Sequence, residues 1–372
     1  MANSVRESLD QNTRSAGCFS PFNLKCDVME RLLLINFEKD PDSVYIGFEP
    51  QVFDNPVKGR GLLVIAWRLD GRIDVYHQPG LTLTREDYDI VGKGLCDFVV
   101  RSFDGGHFDI GERGVDLALD FTDKAGRPVS LRIHERHPAR RKPFGLLAPF
   151  PSGTENPPAL TLALLHDFYF VRRAQTEISV TIDGRQHQLD LLPAPIDGTR
   201  MYFVRYSPDA FIVLWNETRD GPLTPLDVDG DRAVDADGVV YEISDRDGQP
   251  EISAFEAHSD RHQVRFAFDP PFPNVVDLRD GARIAGTFSI DLEKAIGQIT
   301  GHYQVQRRAD CVEISISPTG GWRPRISKLS LWIMFTAAKV FKGWPKAYQW
   351  HARIDVSQPA APVIRSRWQR SG

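Results

Sequence analysis

Cysteine is scarce in this chain: four in 372 residues, at positions 18, 26, 96 and 311, with no CxxC pair. That excludes a disulfide-stapled scaffold and the usual zinc ribbons, and makes reduced thiols the expectation. Long apolar runs are also missing. The most apolar stretch, 329–341 (LSLWIMFTAAKVF), has thirteen residues, against about 20 for a membrane-spanning helix. Neither sign of charge dominates, since 45 Lys+Arg against 50 Asp+Glu gives −5. The balance offers no global pull toward nucleic acid or anionic surfaces. The first fifteen residues, MANSVRESLDQNTRS, lack the apolar centre of a secretory signal, so a cytoplasmic protein is expected. There is no GxGxxG after a strand, no P-loop, no GxSxG elbow and no kinase motif set. No cofactor and no metal are expected.

What is present points to β structure. The composition, 41% hydrophobic and 26% charged, is that of a globular protein. Asp-Gly turns recur at 70–71, 183–184, 237–238, 247–248 and 280–281, a dipeptide suited to hairpins because both residues tolerate positive φ. Alternating runs flank them, such as Val115-Asp116-Leu117-Ala118-Leu119-Asp120-Phe121. The fold class is therefore all-β, as sandwiches or barrels. The stretch 137–158 holds six prolines and no alternation, so it reads as a linker between units at 1–158 and 159–372, or as a functional loop. The 329–341 stretch predicts one short buried helix, stopped by Gly343 and Pro345; a surface helix entering a membrane is the competing reading.

Hairpin facing suggests candidate residues. A two-residue turn at Asp70-Gly71 puts Trp67 opposite Asp74 and Ile65 opposite Tyr76, so these share one face. Asp74 would then be a carboxylate among aromatic rings, where burial favours the protonated form that donates protons; a surface aspartate is the alternative. The same construction at Asp183-Gly184 pairs Val180 with His187, a possible base or a satisfied core histidine. In 131–137, Leu131, Ile133 and Glu135 share a face, making Glu135 a second candidate donor. His134 and His137 lack HExxH spacing and a third ligand, so zinc is not favoured. Arg132, Arg136, Arg140, Arg141 and Lys142 lack interleaved aromatics, so no nucleic-acid partner is expected. Residues 227–238 miss the Gly and Glu an EF-hand needs.

Three segments within 166–216 carry a family likeness: Val180-Thr181-Ile182-Asp183-Gly184-Arg185, the stretch from Pro193 through Tyr202, and Ile212-Val213-Leu214-Trp215-Asn216. Together they resemble the start of the second barrel in the double-lipocalin family related to carotenoid 1,2-hydratases (the AttH-like and CrtC-like group). Pro195-Ile196-Asp197-Gly198 departs from that family's Asp-His-x-Trp-Gly type of signature. The resemblance implies two antiparallel lipocalin-like barrels in tandem and a large apolar ligand of isoprenoid, terpenoid or polyketide type. It also implies cofactor-independent hydration, dehydration, isomerisation or cyclisation, a lyase or isomerase chemistry. On that expectation Asp74, Glu135 and His187 are the catalytic candidates, with Trp67, Tyr76 and Tyr202 facing the ligand. The alternatives are a non-catalytic carrier and a carbohydrate-active β-sandwich.

Overall fold

The computed structural model describes residues 17–371 apart from 90, 104, 150–153, 197, 294 and 327. Among the described residues there are twenty-seven strands and three short helices, Glu86–Asp89, Leu329–Ala337 and Lys339–Gly343. The protein is thus nearly all β, and no described helix is long and apolar enough to cross a membrane. The strands form a ten-stranded, a five-stranded and a twelve-stranded sheet.

The first two sheets interleave the chain on both sides of the proline-rich stretch. Leu160–Arg172 bonds to Asp209–Trp215 through its first half and to Met201–Ser207 through its second. Between those halves Asp167 takes φ 47°, and this break bends the strand out of one register into the other. Thr176–Ile182 pairs with Pro128–Glu135, and Met201–Ser207 with Arg31–Asn36. The expected division at 158 therefore falls inside continuous pairing. Part of the expected linker is itself a strand, Phe144–Ala148, bonded to Leu160–Arg172.

The ten-stranded sheet buries both of its faces. Phe48, Val64, Ala66 and Tyr76 belong to the main core, together with Leu117, Phe121 and Leu131 of the five-stranded sheet. Their odd-numbered neighbours Phe53, Leu63, Ile65, Ile73 and Val75 form a separate cluster on the opposite face. Period-two alternation alone produces this sorting.

The twelve-stranded sheet is mostly a meander from Pro225–Asp229 to Val363–Arg370, each strand bonded to the next. Two aromatic side chains from outside the meander show its shape. Phe22 lies 4.9 Å from Phe255 and 6.2 Å from Trp350, ring to ring. Trp215 lies 5.0 Å from Phe266 and 5.3 Å from Trp368, whose indole N–H donates to the Trp215 carbonyl at 3.0 Å. Each ring thus touches strands five places apart, which a flat sheet would separate by roughly 24 Å. The sheet curls around them.

The helix expected over 329–341 breaks at Ala338, whose ψ of 111° is extended, giving two helices. It is also not a buried helix. Leu331 and Phe335 are buried, while Leu329, Trp332 and Ile333 are exposed. Apolar residues occupy every side of this segment, so no orientation could bury them all.

Trp215→Ala should empty the space inside the curled sheet and cost about 3–5 kcal/mol, measured by guanidinium denaturation followed by far-UV circular dichroism.

Candidate functional site

A hollow of 1380 Å³ lies on the second face of the ten-stranded sheet, away from the five-stranded one. Its wall is made of alternate residues from successive strands: Leu32 and Leu34, then Glu49, Gln51 and Phe53, then Ile65 and Trp67. Ala163, Leu165, Phe203, Ile212 and Leu214 extend the wall across the strands of 160–215. The twelve-stranded half contributes Val239, Ala257 and His258, and the two C-terminal helices contribute Ile333, Met334, Val340 and Phe341. The chamber therefore sits at the junction of the two halves and is mostly apolar.

A few polar groups stand in the buried wall, centred on Glu49. The Glu49 carboxylate accepts a hydrogen bond from Gln51 Nε2 at 2.8 Å and another from the Trp67 indole N–H at 3.1 Å. Burial pushes its pKa up, against the pull of those two donors and of the Arg205 charge. Burial pushes Arg205 down, against the charges of Glu49 and Glu38. Arg205 is itself held by Asn36 Oδ1 at 2.5 Å and stacks 4.2 Å over Phe203. Gln51 Oε1 and Arg205 Nε are buried without a hydrogen-bond partner among the described residues. Toward solvent the lining becomes ionic: Lys58 bridges Asp27 at 3.8 Å and Asp87 at 2.8 Å. Desolvation lifts Asp27 to about 6 even though Lys58 opposes it.

The residues expected from hairpin facing are dispersed. At Asp70-Gly71 only the glycine has positive φ, 82°. Gly71 N–H donates to the Arg68 carbonyl and Arg68 N–H to the Arg72 carbonyl, both at 3.0 Å, so the loop has three residues. Trp67 then pairs with Ile73, and Ala66 with Asp74. This one-residue slip puts Trp67 and Asp74 on opposite faces. Trp67 lines the chamber, whereas Asp74 and Tyr76 enter the core between the sheets. There Asp74 Oδ2 accepts from Arg68 at 2.9 Å and from Tyr45 Oη at 3.0 Å, and Tyr45 and Tyr76 hydroxyls meet at 2.8 Å. At Asp183-Gly184 both residues have positive φ, the loop has two residues, and Val180 pairs with His187.

Glu135 and His187 are likewise buried and hydrogen-bonded within the fold. Glu135 accepts from Arg172 Nε at 2.5 Å and from the Val115 and Arg172 amides, each at 3.3 Å. Arg172 in turn donates to the Ala139 and Arg113 carbonyls. His187 packs 5.2 Å from Phe37, with Nδ1 2.9 Å from the Asp40 carbonyl. No hydrogen bond or ion pair joins any two of Asp74, Glu135 and His187 among the described residues. Tyr202 is half-buried against the main core, and its neighbours Phe203 and Arg205 face the chamber instead.

A second ionisable group bridges the halves. His262 has Nε2 2.8 Å from Asp209 Oδ1 and Nδ1 3.1 Å from Glu293 Oε1. His166 stacks on it at 4.1 Å and reaches Glu293 Oε2 at 3.1 Å. His166, Asp209 and His262 bring donor atoms within 4.8 Å of one another. Their rings are only 15° from parallel, however, so the in-plane lone pairs run side by side and do not converge on one ion. A second trio, Asp74, Cys96 and Asp97, already faces Arg68 and Lys124. Neither is built as a metal centre.

No protein-family model, curated protein or solved structure matches this chain. The chamber and its single buried acid are what its geometry offers for chemistry.

Two outcomes follow from these charges. Asp74→Asn should cost about 3–5 kcal/mol in denaturant unfolding, because Arg68 loses its buried partner. The His262 clamp should show in the pH profile of stability. Burial lowers the His262 pKa, but the hydrogen bonds and charges of Asp209 and Glu293 outweigh it and hold it above the ordinary value. Burial raises Asp209, yet His262 and Arg261 outweigh that and hold it below the usual carboxylate range. The His262 contribution is fully present below the ordinary histidine value and is lost as pH rises through the elevated one. The Asp209 contribution is present above the ordinary aspartate value and is lost as pH falls through the depressed one. Thermal melts of His262→Gln from about pH 2 to 9 should show both slopes flattened relative to the unsubstituted protein.

Proposed function

We propose that the chamber binds a hydrophobic small molecule of isoprenoid, terpenoid or polyketide type, and that Glu49 is its proton donor. The observation that carries this is a buried carboxyl, its pKa raised by burial, standing in the wall of a 1380 Å³ mostly apolar cavity. Small-molecule pockets usually enclose about 300–1,000 Å³, so this one suits a long or multicyclic hydrocarbon skeleton. Burying such a skeleton contributes about 25 cal/mol for each Å² removed from water. Gln51 Oε1 and Arg205 Nε would meet a hydroxyl or carbonyl at one end of it. Protonation of an alkene or oxygen by Glu49 starts hydration, dehydration, isomerisation or cyclisation. Trp67, hydrogen-bonded to Glu49 and lining the same wall, supplies an aromatic face to the developing cation.

The double-lipocalin resemblance and its tandem barrels belong to the same reading, with the ligand chamber placed at the junction of the halves. Asp74, Glu135 and His187 take no part in it.

Native mass spectrometry of the purified protein, and titration with geranylgeraniol as a probe, test the binding. Ala163→Phe, which grows into the chamber wall, should weaken probe binding at least tenfold without changing the fold. Glu49→Gln should leave probe affinity within a few-fold and lower turnover by about 10²–10⁴-fold. Turnover by the unsubstituted protein should fall as pH rises through the elevated pKa of Glu49. The same unaltered compound recovered from both forms would instead mean a carrier, and an empty cavity that rejects the probe would end the reading altogether.

A further inference from the structure

The two C-terminal helices line one side of the chamber and also carry an apolar face that the other described residues leave uncovered. On Leu329–Ala337, Leu331 and Phe335 turn inward, with Phe335 5.0 Å from Trp322 and 6.1 Å from Phe144, ring to ring. The outer side exposes Leu329 at 74%, Trp332 at 52% and Ile333 at 52%, and Val340 on the next helix is exposed at 40%. Scattered exposed apolar residues are ordinary in soluble proteins, but a cluster of this size on one short segment marks a contact surface.

The segment that carries the cluster has charge of one sign. From 314 to 354 the sequence has seven Lys and Arg and no Asp or Glu, in a chain whose net charge is −5. Arg323, Arg325 and Lys346 flank the helices and are exposed. Tryptophan beside leucine and isoleucine, bordered by cations, matches the interface of an anionic bilayer, where apolar groups enter the acyl boundary and Lys or Arg meet phosphates. A protein partner would not by itself call for a segment free of acidic residues. Ile333 and Val340 belong both to this outer face and to the chamber lining, so the surface and the cavity are continuous.

We infer that the Leu329, Trp332 and Ile333 face docks on an anionic lipid bilayer, beside the chamber whose lining it shares. The docking rests on this surface alone. Passage of a lipid-soluble ligand from the bilayer into the chamber rests in addition on the reading under Proposed function.

The test is co-sedimentation of the full chain with vesicles of phosphatidylcholine, with and without 30% phosphatidylglycerol as a chosen composition of roughly one anionic lipid in three. Binding should rise at least tenfold with the anionic lipid, weaken in high salt, and shift the tryptophan emission to the blue. The double variant Leu329→Ser/Trp332→Ser, at two exposed positions outside the chamber lining, should lose at least tenfold of that binding while keeping the unsubstituted protein's thermal melt and geranylgeraniol affinity. No binding to anionic vesicles at low salt, or equal binding by the double variant, would overturn the docking. So would a salt-insensitive dimer in gel filtration that the double variant abolishes, since the face would then pair two copies. Probe binding in vesicle-free solution reports on the chamber separately, so the failure of either reading is visible without the other.

Discussion

Strand Tyr45–Asn55 is apolar on one side and mixed on the other, and both sides are covered. Phe48 packs into the core between two sheets, while Glu49, Gln51 and Phe53 face a second space that opens toward solvent on one side. A sheet in water ordinarily needs only one partner layer. This one has two, and the second layer, formed by the twelve-stranded half and the C-terminal helices, stands off far enough to leave a chamber. The stand-off is held by large rings at the junction. Phe22 and Trp215 leave the first half and plug the curled sheet of the second, which fixes how closely the remaining surfaces can approach.

The chamber's chemistry follows from where polarity is left unburdened. Asp74 and Glu135 are as buried as Glu49, yet each is matched by a guanidinium in direct contact, Arg68 and Arg172. Pairing of that kind spends the carboxylate on stability. Burial is the largest influence on Glu49 and pushes its pKa up, and this carboxyl has only neutral donors in contact, an indole and an amide. A proton donor in an apolar pocket requires that condition, and the two paired carboxylates do not meet it. The His262 clamp performs a third task with the same residue types, fastening one half to the other through two carboxylates.

Much of the β architecture is legible in the chain itself. Recurrent Asp-Gly turns between alternating runs mark hairpins, and at Asp183-Gly184 even the register can be read, because both residues adopt the positive φ of a two-residue loop. The same dipeptide at 70–71 misleads. There Asp70 keeps negative φ, its side chain caps the Arg72 amide at 2.9 Å, and the loop gains a residue. Local sequence does not distinguish the two loops. The buried Arg68–Asp74 pair is compatible only with the longer one, since only then do both side chains turn to the same face.

Turn chemistry and period-two patterning thus decide, within a few residues of chain, that this protein is built of antiparallel ribbons. Which face of each ribbon meets another layer is settled across hundreds of residues. Glu49 and Gln51 at alternate strand positions look like a solvated edge until residues 237–258 and 330–341 fold over them. For the same reason the apolar 329–341 segment reads as core from its composition. Only the packing, with a single side available to Leu331 and Phe335, leaves Trp332 and Ile333 facing outward.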